Sequence, residues 1–259
     1  MIPKIIHYCW FGKNPLPPLA LECMESWKRY CPDYEIKEWN ESNFDVDHND
    51  YVREAFEAKK WAFVSDVARL SALVNHGGIY MDTDCELLRS IDDLLSLDAL
   101  SGFETPDKIQ TAFMGCKKDY TLFKDLLLDY DNRKFILPDG EYDVTTNVFT
   151  ITNALLKRGL VLNNELQTVE GITIYPSDYF CPKDVHTEQV KITSNTYAIH
   201  HFDSSWWSDE QKKERLKKVR YKEIFGETLG SKLYTFLFIF RTGGVRGVFL
   251  KIKEKSNKG

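Results

Sequence analysis

Several features that would settle a class at once are missing from this sequence. Its longest purely apolar or aromatic stretches are short: "LYTFLFIF", Leu233 to Phe240, falls far below the ~20 residues that span a bilayer. The six cysteines, Cys9, Cys23, Cys31, Cys85, Cys116 and Cys181, form no CxxC pair and no zinc-finger spacing. That argues against a disulfide framework or a structural zinc site and for buried, reduced thiols. The opening "MIPKIIHYCWFGK" holds no basic segment leading into an apolar core and a small-residue cleavage site, so the expectation is a cytosolic protein. Internal repeats and low-complexity segments are absent too.

Charge of one sign is scarce in each part of the chain. The net charge of −5 divides into a body, residues 1–208, with 20 Lys+Arg against 33 Asp+Glu, and a tail, residues 209–259, with 14 against 6. An acidic body argues against nucleic acid as the main partner, because duplex binding rests on many Lys and Arg contacts to phosphate. With 259 residues and 43% hydrophobic content, the chain can bury a full core. The expected organisation is one α/β domain over 1–208 and a basic, helical extension over 209–259.

What is present reads as alternating strands and helices. "KIIHYCWFG" looks like a buried first strand, Leu19 to Tyr30 like a helix stopped before Pro32, and "YEIKEW" like a second strand. After an acidic loop from Asn40 to Asp50, "KKWAFVSDVARLSALVNHGG" reads as one long helix closed by Gly77 and Gly78, with Ile79 to Met81 as the next strand. "ALSGFE", "TAFMGC", "GITIYP" and "TYAIHHF" look like later sheet segments; Tyr120 to Tyr130 and Val144 to Arg158 look like helices. This order predicts a mixed, mostly parallel sheet whose ligands sit at the carboxyl ends of its strands.

Asp82 and Asp84 fall at such an end. In an extended segment residues i and i+2 point to one side, so both carboxylates would converge and call for a cation between them. Hard oxygen ligands suit Mg²⁺ or Mn²⁺, which keep positions open for substrate phosphates. The competing reading of "MDTD" is a strand-to-loop turn. One helix earlier, Asp66 shares the apolar face of Ala62, Phe63, Leu70 and Leu73 and must be paired or functional. Arg69 at i+3 offers either an intrahelical ion pair or, with Asp66, a sugar-binding set. "AIHHFDSSWW" brings His200 and His201, either metal ligands or packed and hydrogen-bonded residues, and a loop with Ser205, Trp206 and Trp207, whose paired tryptophans read as core or interface anchors. Trp10 can pack in the core or stack a nucleotide base.

In order, "IPKIIHYCWFG", "SDVARLSALVNHGGIYMDTD" and "YAIHHFDSSW" resemble glycosyltransferase family 32, which includes fungal Golgi α-mannosyltransferases and bacterial capsular-polysaccharide transferases. The likeness covers roughly residues 1 to 207. More distantly the chain is similar to the catalytic domains of clostridial glucosylating toxins, through Ser65, Asp66, Arg69, Leu73, Gly77, Gly78, Tyr80, Asp82 and Asp84. The resemblance implies a GT-A fold, that is, a Rossmann-like mixed sheet flanked by helices. It also implies a nucleotide-sugar donor, with a UDP-sugar favoured over GDP-mannose, a divalent cation and a retaining reaction.

Residue by residue, the resemblance implies that Trp10 stacks the base, that Asp66 and Arg69 hold the donor sugar, and that Tyr80, Ser205 and Trp206 complete the donor set. It makes Asp84 the principal metal ligand, Asp82 a ligand shared with the ribose, and His201, rather than His200, the histidine ligand. The Golgi enzymes' amino-terminal anchor is not seen here, which leads to the expectation of a bacterial-type cytosolic enzyme. "TTNVFTITN", Thr145 to Asn153, matches the acceptor-side segment only loosely and leaves the acceptor open.

The basic tail, with "KKERLKKVRYK" and the apolar "LYTFLFIF", can lie on an anionic membrane surface or pack as a terminal helix. The first option would suit a lipid-linked saccharide acceptor in capsule or surface-polysaccharide synthesis. Two other functions compete. A Mg²⁺-dependent haloacid-dehalogenase-like phosphatase also places paired aspartates after an apolar strand, but needs a threonine or similar residue where Glu86 stands. A catalytically idle glycan-binding protein would tolerate the same fold.

Overall fold

The structure is a computed structural model that describes residues 1–184, 187–203, 209–226, 229–230, 232–238 and 241. The chain divides into two units, Met1–Asp184 with Gln189–Asp203, and Val185–Glu188 with Ser204–Gly259.

The first unit is built on an eight-stranded mixed sheet. It opens with β1 (Ile5–Cys9), α1 (Pro18–Tyr30), β2 (Glu35–Trp39), α2 (Asp50–Glu57), α3 (Trp61–His76), β3 (Gly78–Met81) and β4 (Cys85–Leu87). There follow β5 (Ala99–Thr105), β6 (Lys108–Ile109), β7 (Phe113–Cys116), α4 (Thr121–Asp129) and α5 (Asn147–Leu156). The unit closes with β8 (Gln167–Val169), β9 (Ile172–Tyr175), α6 (Ser177–Phe180) and β10 (Ala198–His200).

The strand order is β2-β1-β3-β7-β5-β9-β8, with β6 paired to β5, while β10 and β4 form a separate two-stranded sheet. β1, β2, β3, β5 and β9 run one way, and β7 is reversed between β3 and β5. The mixed, mostly parallel sheet flanked by helices is therefore the one expected, and the carboxyl ends of β1, β3 and β5 share one edge.

Alternation divides the strands between two cores. Ile6, Tyr8, Ile79, Met81 and Leu100 pack with Trp27 and Met24 of α1, whereas Cys9, Tyr80 and Phe103 pack with Val67 and Leu70 of α3. All six cysteines are buried and free, as expected of packing residues. α1 starts with Pro18, whose missing N–H costs nothing in the first turn. It also anchors β4: the Trp27 indole N–H donates to Cys85 O at 2.7 Å, and the Leu87 N–H donates to Ser26 Oγ at 2.9 Å.

Two α-helices, α2 and the four-residue α6, had no counterpart in the sequence reading. α2 begins where an acidic loop was expected to end, its first turn capped by Asn49, whose side chain accepts the Val52 N–H at 3.0 Å.

The passage from α3 into β3 requires both glycines. Gly77 has φ 67° and Gly78 φ 103°, and a Cβ on Gly78 would stand 2.7 Å from Ile5 O. His7, fully buried in β1, locks this junction. Its Nε2–H donates to Gly77 O at 2.7 Å, because Nδ1 accepts the Trp39 indole N–H at 3.1 Å.

In the second unit α7 (Asp209–Phe225) is the helix expected for the basic tail. Glu214 on it accepts hydrogen bonds from Lys217, Tyr234 and Arg241.

Burial pushes the His7 imidazole down to about 4, against the pull of the Gly77 carbonyl. In the unfolded chain it titrates near 6.5, so the unfolded state binds the proton first as pH falls. The contribution of neutral His7 is complete above pH 6.5 and is lost as pH falls to about 4, a change of about 3 kcal/mol. In urea unfolding, the wild type should lose stability across that window more steeply than His7→Gln. Equal slopes would refute the assignment.

Candidate active site

Asp82, Thr83 and Asp84 do not continue β3. They turn into β4, with the Cys85 N–H donating to Asp82 O at 2.9 Å, so the extended i, i+2 geometry expected for the pair is replaced by a tight turn. The carboxylates converge nonetheless, because Asp82 is tied to the main sheet and Asp84 to the small one. The Asp82 N–H donates to Ala112 O, while Asp84 O accepts the His201 N–H at 3.0 Å and Asp84 Oδ2 accepts the Asp203 N–H at 2.8 Å. This turn is also not the solvated one of the competing reading: Thr83 is 8% exposed, and the Asp84 side chain 16%.

The α3 side of the turn is governed by Arg69. Tyr80 and Asp82 both face α3, and the Tyr80 hydroxyl donates to Asp82 Oδ1 at 2.8 Å. The buried Arg69 guanidinium lies over the Tyr80 ring, 4.7 Å from its centroid. Its Nη2 is 3.4 Å from Asp66 Oδ1 and 3.5 Å from Asp82 Oδ1, and its Nη1–H donates to Thr111 O at 3.0 Å. The intrahelical pair expected from spacing is present, and the same cation also reaches Asp82. Burial works against the charge on Arg69, but Asp82, Tyr80 and Asp66 outweigh it and make the group more basic than usual.

Asp66 is held from a second direction by α5. The Asn147 backbone N–H donates to Asp66 Oδ2 at 3.1 Å, the Asn147 side-chain amide donates to Asp66 O at 2.6 Å, and the Tyr130 hydroxyl donates to Asn147 Oδ1 at 2.7 Å. Burial lifts the Asp66 carboxyl to about 6, although Arg69 and the Asn147 N–H pull it down. Asn147 lies in the segment flagged as acceptor-side, yet its part in holding Asp66 had no signal in the sequence.

On the other side of the turn stands His200, where the sequence reading had placed His201. β10 pairs with β4 in the register Ile199↔Glu86 and His200↔Cys85, so neighbouring rings leave opposite faces. His201 Nε2 lies 2.9 Å from Glu86 Oε2, away from the aspartates. His200 Nε2 is 3.5 Å from Asp84 Oδ1, and ligand atoms of Asp82, Asp84 and His200 all lie within 4.8 Å of one another. Burial opposes the charge on Asp84, but His200 and the Asp203 N–H bring its carboxyl down to about 2. Against the same burial, Asp84 raises His200 well above the usual imidazole range. Two carboxylates and an imidazole form a donor set that suits Mn²⁺ or Mg²⁺.

Trp10 lies just past β1 on the same sheet edge, partly buried, its indole N–H donating to Asn14 O at 2.6 Å. Ser205, Trp206 and Trp207 fall outside the described residues. One acid passed over in the sequence belongs to the same neighbourhood: Glu104, at the end of β5, is lifted by burial and by Asp82, while His200 and Lys108 lower it.

Removing the Arg69 charge would leave two acidic neighbours without their shared partner. Arg69→Met should therefore lower stability by about 3–5 kcal/mol in denaturant unfolding; a loss below about 1 kcal/mol would show that Asp66 and Asp82 do not depend on it.

Residues 17–100 match the family described as "Glycosyltransferase sugar-binding region containing DXD motif". Among curated proteins, the chain is 32% identical over 123 residues to inositol phosphoceramide mannosyltransferase 3 of Schizosaccharomyces pombe, covering 46% of this chain and 34% of that protein. The chain thus spans about a third of that relative's length. It is 23% identical over 224 residues to the uncharacterized glycosyltransferase L373 of Acanthamoeba polyphaga mimivirus, covering 80% and 84% of the two chains. Among solved structures, the PaToxG glycosyltransferase aligns with a TM-score of 0.44 and 18% identity over 60% of this chain and 69% of that one. The matched stretch runs from just before α1 to the start of β5 and takes in Asp82-Thr83-Asp84, which has the DXD pattern.

Proposed function

We propose that this protein is a metal-dependent glycosyltransferase that moves a hexose from a nucleoside-diphosphate sugar to a saccharide acceptor. The observation that carries the reading is the convergence of Asp82, Asp84 and His200 at the turn after β3, beside the buried Asp66 and Arg69.

In this reading Asp82, Asp84 and His200 hold Mn²⁺ or Mg²⁺, which when bound supplies positive charge against the leaving diphosphate. Tyr80 fixes the rotamer of Asp82 through its hydroxyl. Asp66, oriented by Asn147, accepts hydrogen bonds from donor-sugar hydroxyls, and Arg69 holds that carboxylate in place. Trp10 supplies an apolar face for the base. The acceptor attacks on the same face as the leaving group, through an oxocarbenium-like state, with retention at the sugar carbon.

A UDP-sugar is the favoured donor. GDP-mannose is the main competitor, since the Schizosaccharomyces pombe relative is named for mannosyl transfer. A thermal-shift panel of UDP- and GDP-sugars should give its largest stabilisation for one UDP-sugar together with Mn²⁺. Asp84→Asn should abolish Mn²⁺-dependent transfer while keeping its melting transition. Full transfer by that variant would remove Asp84 from the metal site.

We further place the protein in the cytoplasm, at the inner membrane surface, acting on a lipid-linked saccharide of capsule or surface polysaccharide. The support is the tail, with 14 Lys+Arg against 6 Asp+Glu and the apolar "LYTFLFIF". No helix among the described residues is long and apolar enough to cross a membrane. The full chain should co-sediment with anionic phosphatidylglycerol vesicles and lose that binding when residues after Gly226 are removed. Equal sedimentation of both forms would refute a membrane role for the tail.

A further inference from the structure

Glu104 ends up beside the DXD turn by a route independent of the motif. β3 and β5 are both antiparallel to β7, so their carboxyl ends lie on the same sheet edge, two strand spacings or roughly 10 Å apart. Asp82 follows the end of β3, and Glu104 is the penultimate residue of β5.

The pairing of β5 with β6 is irregular at this residue. Phe103 faces Ile109 and Thr105 faces Lys108, so Glu104 is an extra residue in a β-bulge. Bulges of this kind re-aim a side chain and occur beside active sites. Alternation already puts position 104 on the face of Leu100 and Gly102. That face packs against Phe180 and belongs to the core shared with Cys85, Leu87 and Ala198 of the small sheet. This is the face that carries His200, and Glu104 lies close enough to His200 and Asp82 to feel both charges.

Among the described residues Glu104 makes no hydrogen bond and no ion pair, although it is only partly exposed. Its carboxylate oxygens are not sealed from solvent, so an incoming hydroxyl can reach them. Glu104 also stands apart from the three-residue cation group. An unpaired acceptor at this end of the sheet, outside the metal ligands, is suited to a hydroxyl.

We propose that Glu104 is the catalytic base for the acceptor: it accepts a hydrogen bond from the attacking hydroxyl and takes its proton. In that step the acceptor O–H bond breaks, with the proton passing to a Glu104 oxygen. The acceptor oxygen then bonds to the sugar carbon, and the bond from that carbon to the diphosphate oxygen breaks with its electron pair leaving on the nucleoside diphosphate. Glu104 afterwards returns the proton to water. Its place on the metal-bearing edge matches an acceptor that approaches on the same face as the leaving group. The inference rests on the transferase reading above.

Nucleotide release with Mn²⁺ and UDP-glucose, UDP-galactose, UDP-N-acetylglucosamine or GDP-mannose uses water as the acceptor and so needs no knowledge of the natural one. Glu104→Gln should lower kcat for release by about 100-fold or more, in the range of lost general-base catalysis. Its donor KM and its Mn²⁺-dependent thermal shift should stay as in the wild type, and Glu104→Asp should recover part of the rate. Wild-type kcat in Glu104→Gln overturns the role of Glu104 alone. Loss of the Mn²⁺-dependent shift makes it a metal-site or structural residue, and a glycosyl adduct on Glu104 by mass spectrometry makes it a nucleophile; each overturns the base. No release by the wild type with any of the four donors overturns the transferase reading and this inference with it.

Discussion

The contact on which the site depends is the buried guanidinium of Arg69, bridging Asp66 and Asp82 above the Tyr80 ring. A buried cation is tolerated only where its charge and donors are matched, and here the partners come from three pieces of the fold. Asp66 lies on the same helix, Asp82 and Tyr80 at the end of β3, and Thr111 just before β7. One side chain therefore ties α3 to two neighbouring strands at the edge where the DXD turn begins. The approach of α3 to β3 is fixed in turn by Gly77 and Gly78, since no Cβ fits beside Ile5 O, and by the neutral His7 that caps Gly77 O. The sheet edge is thus positioned by backbone constraint, and Arg69 turns that position into a charge pattern.

The parts of the fold legible in the sequence are those whose signals are local. β1, α1, α3 and β3 each carry a long apolar period or a firm stop, such as Pro18 at a helix start or the glycine pair at a helix end. α2 was hidden because its eight residues are rich in acids and its cap, Asn49, also reads as a loop residue. β10 lies within "TYAIHHF", as expected, but β4 is three residues long, too short for alternation to register, and its pairing with β10 joins segments far apart in the chain. That pairing still decides the site, because it brings His200 to Asp84.

The same limit explains the exchange of histidines. In "HH" either ring can be a ligand, and only the register Ile199↔Glu86 decides which face each one takes. His201 finds Glu86, leaving His200 for the aspartates. Asp82 and Asp84 were identified correctly as a convergent pair, but for a geometric reason the structure replaces. Spacing along an extended strand would have aimed both at one side. Instead a turn closed by the Cys85 N–H lets one aspartate hang from each sheet.

Four acids now share one edge, and their surroundings separate their roles. Asp84 is held at about 2 by His200 and backbone N–H donors, and so is ionised and ready for a cation. Asp82 is oriented by Tyr80 and Arg69 and links the cation group to the sugar side. Asp66, raised to about 6 by burial, shares its oxygens between Arg69 and the Asn147 N–H. Glu104 alone has no ion pair and no hydrogen-bond donor among the described residues, and burial and Asp82 raise it against the pull of His200 and Lys108. Like charges this close stay compatible only because each has a different neighbour. In the proposed transfer that separation would give one acid pair to the leaving group, one acid to the sugar, and one to the nucleophile's proton.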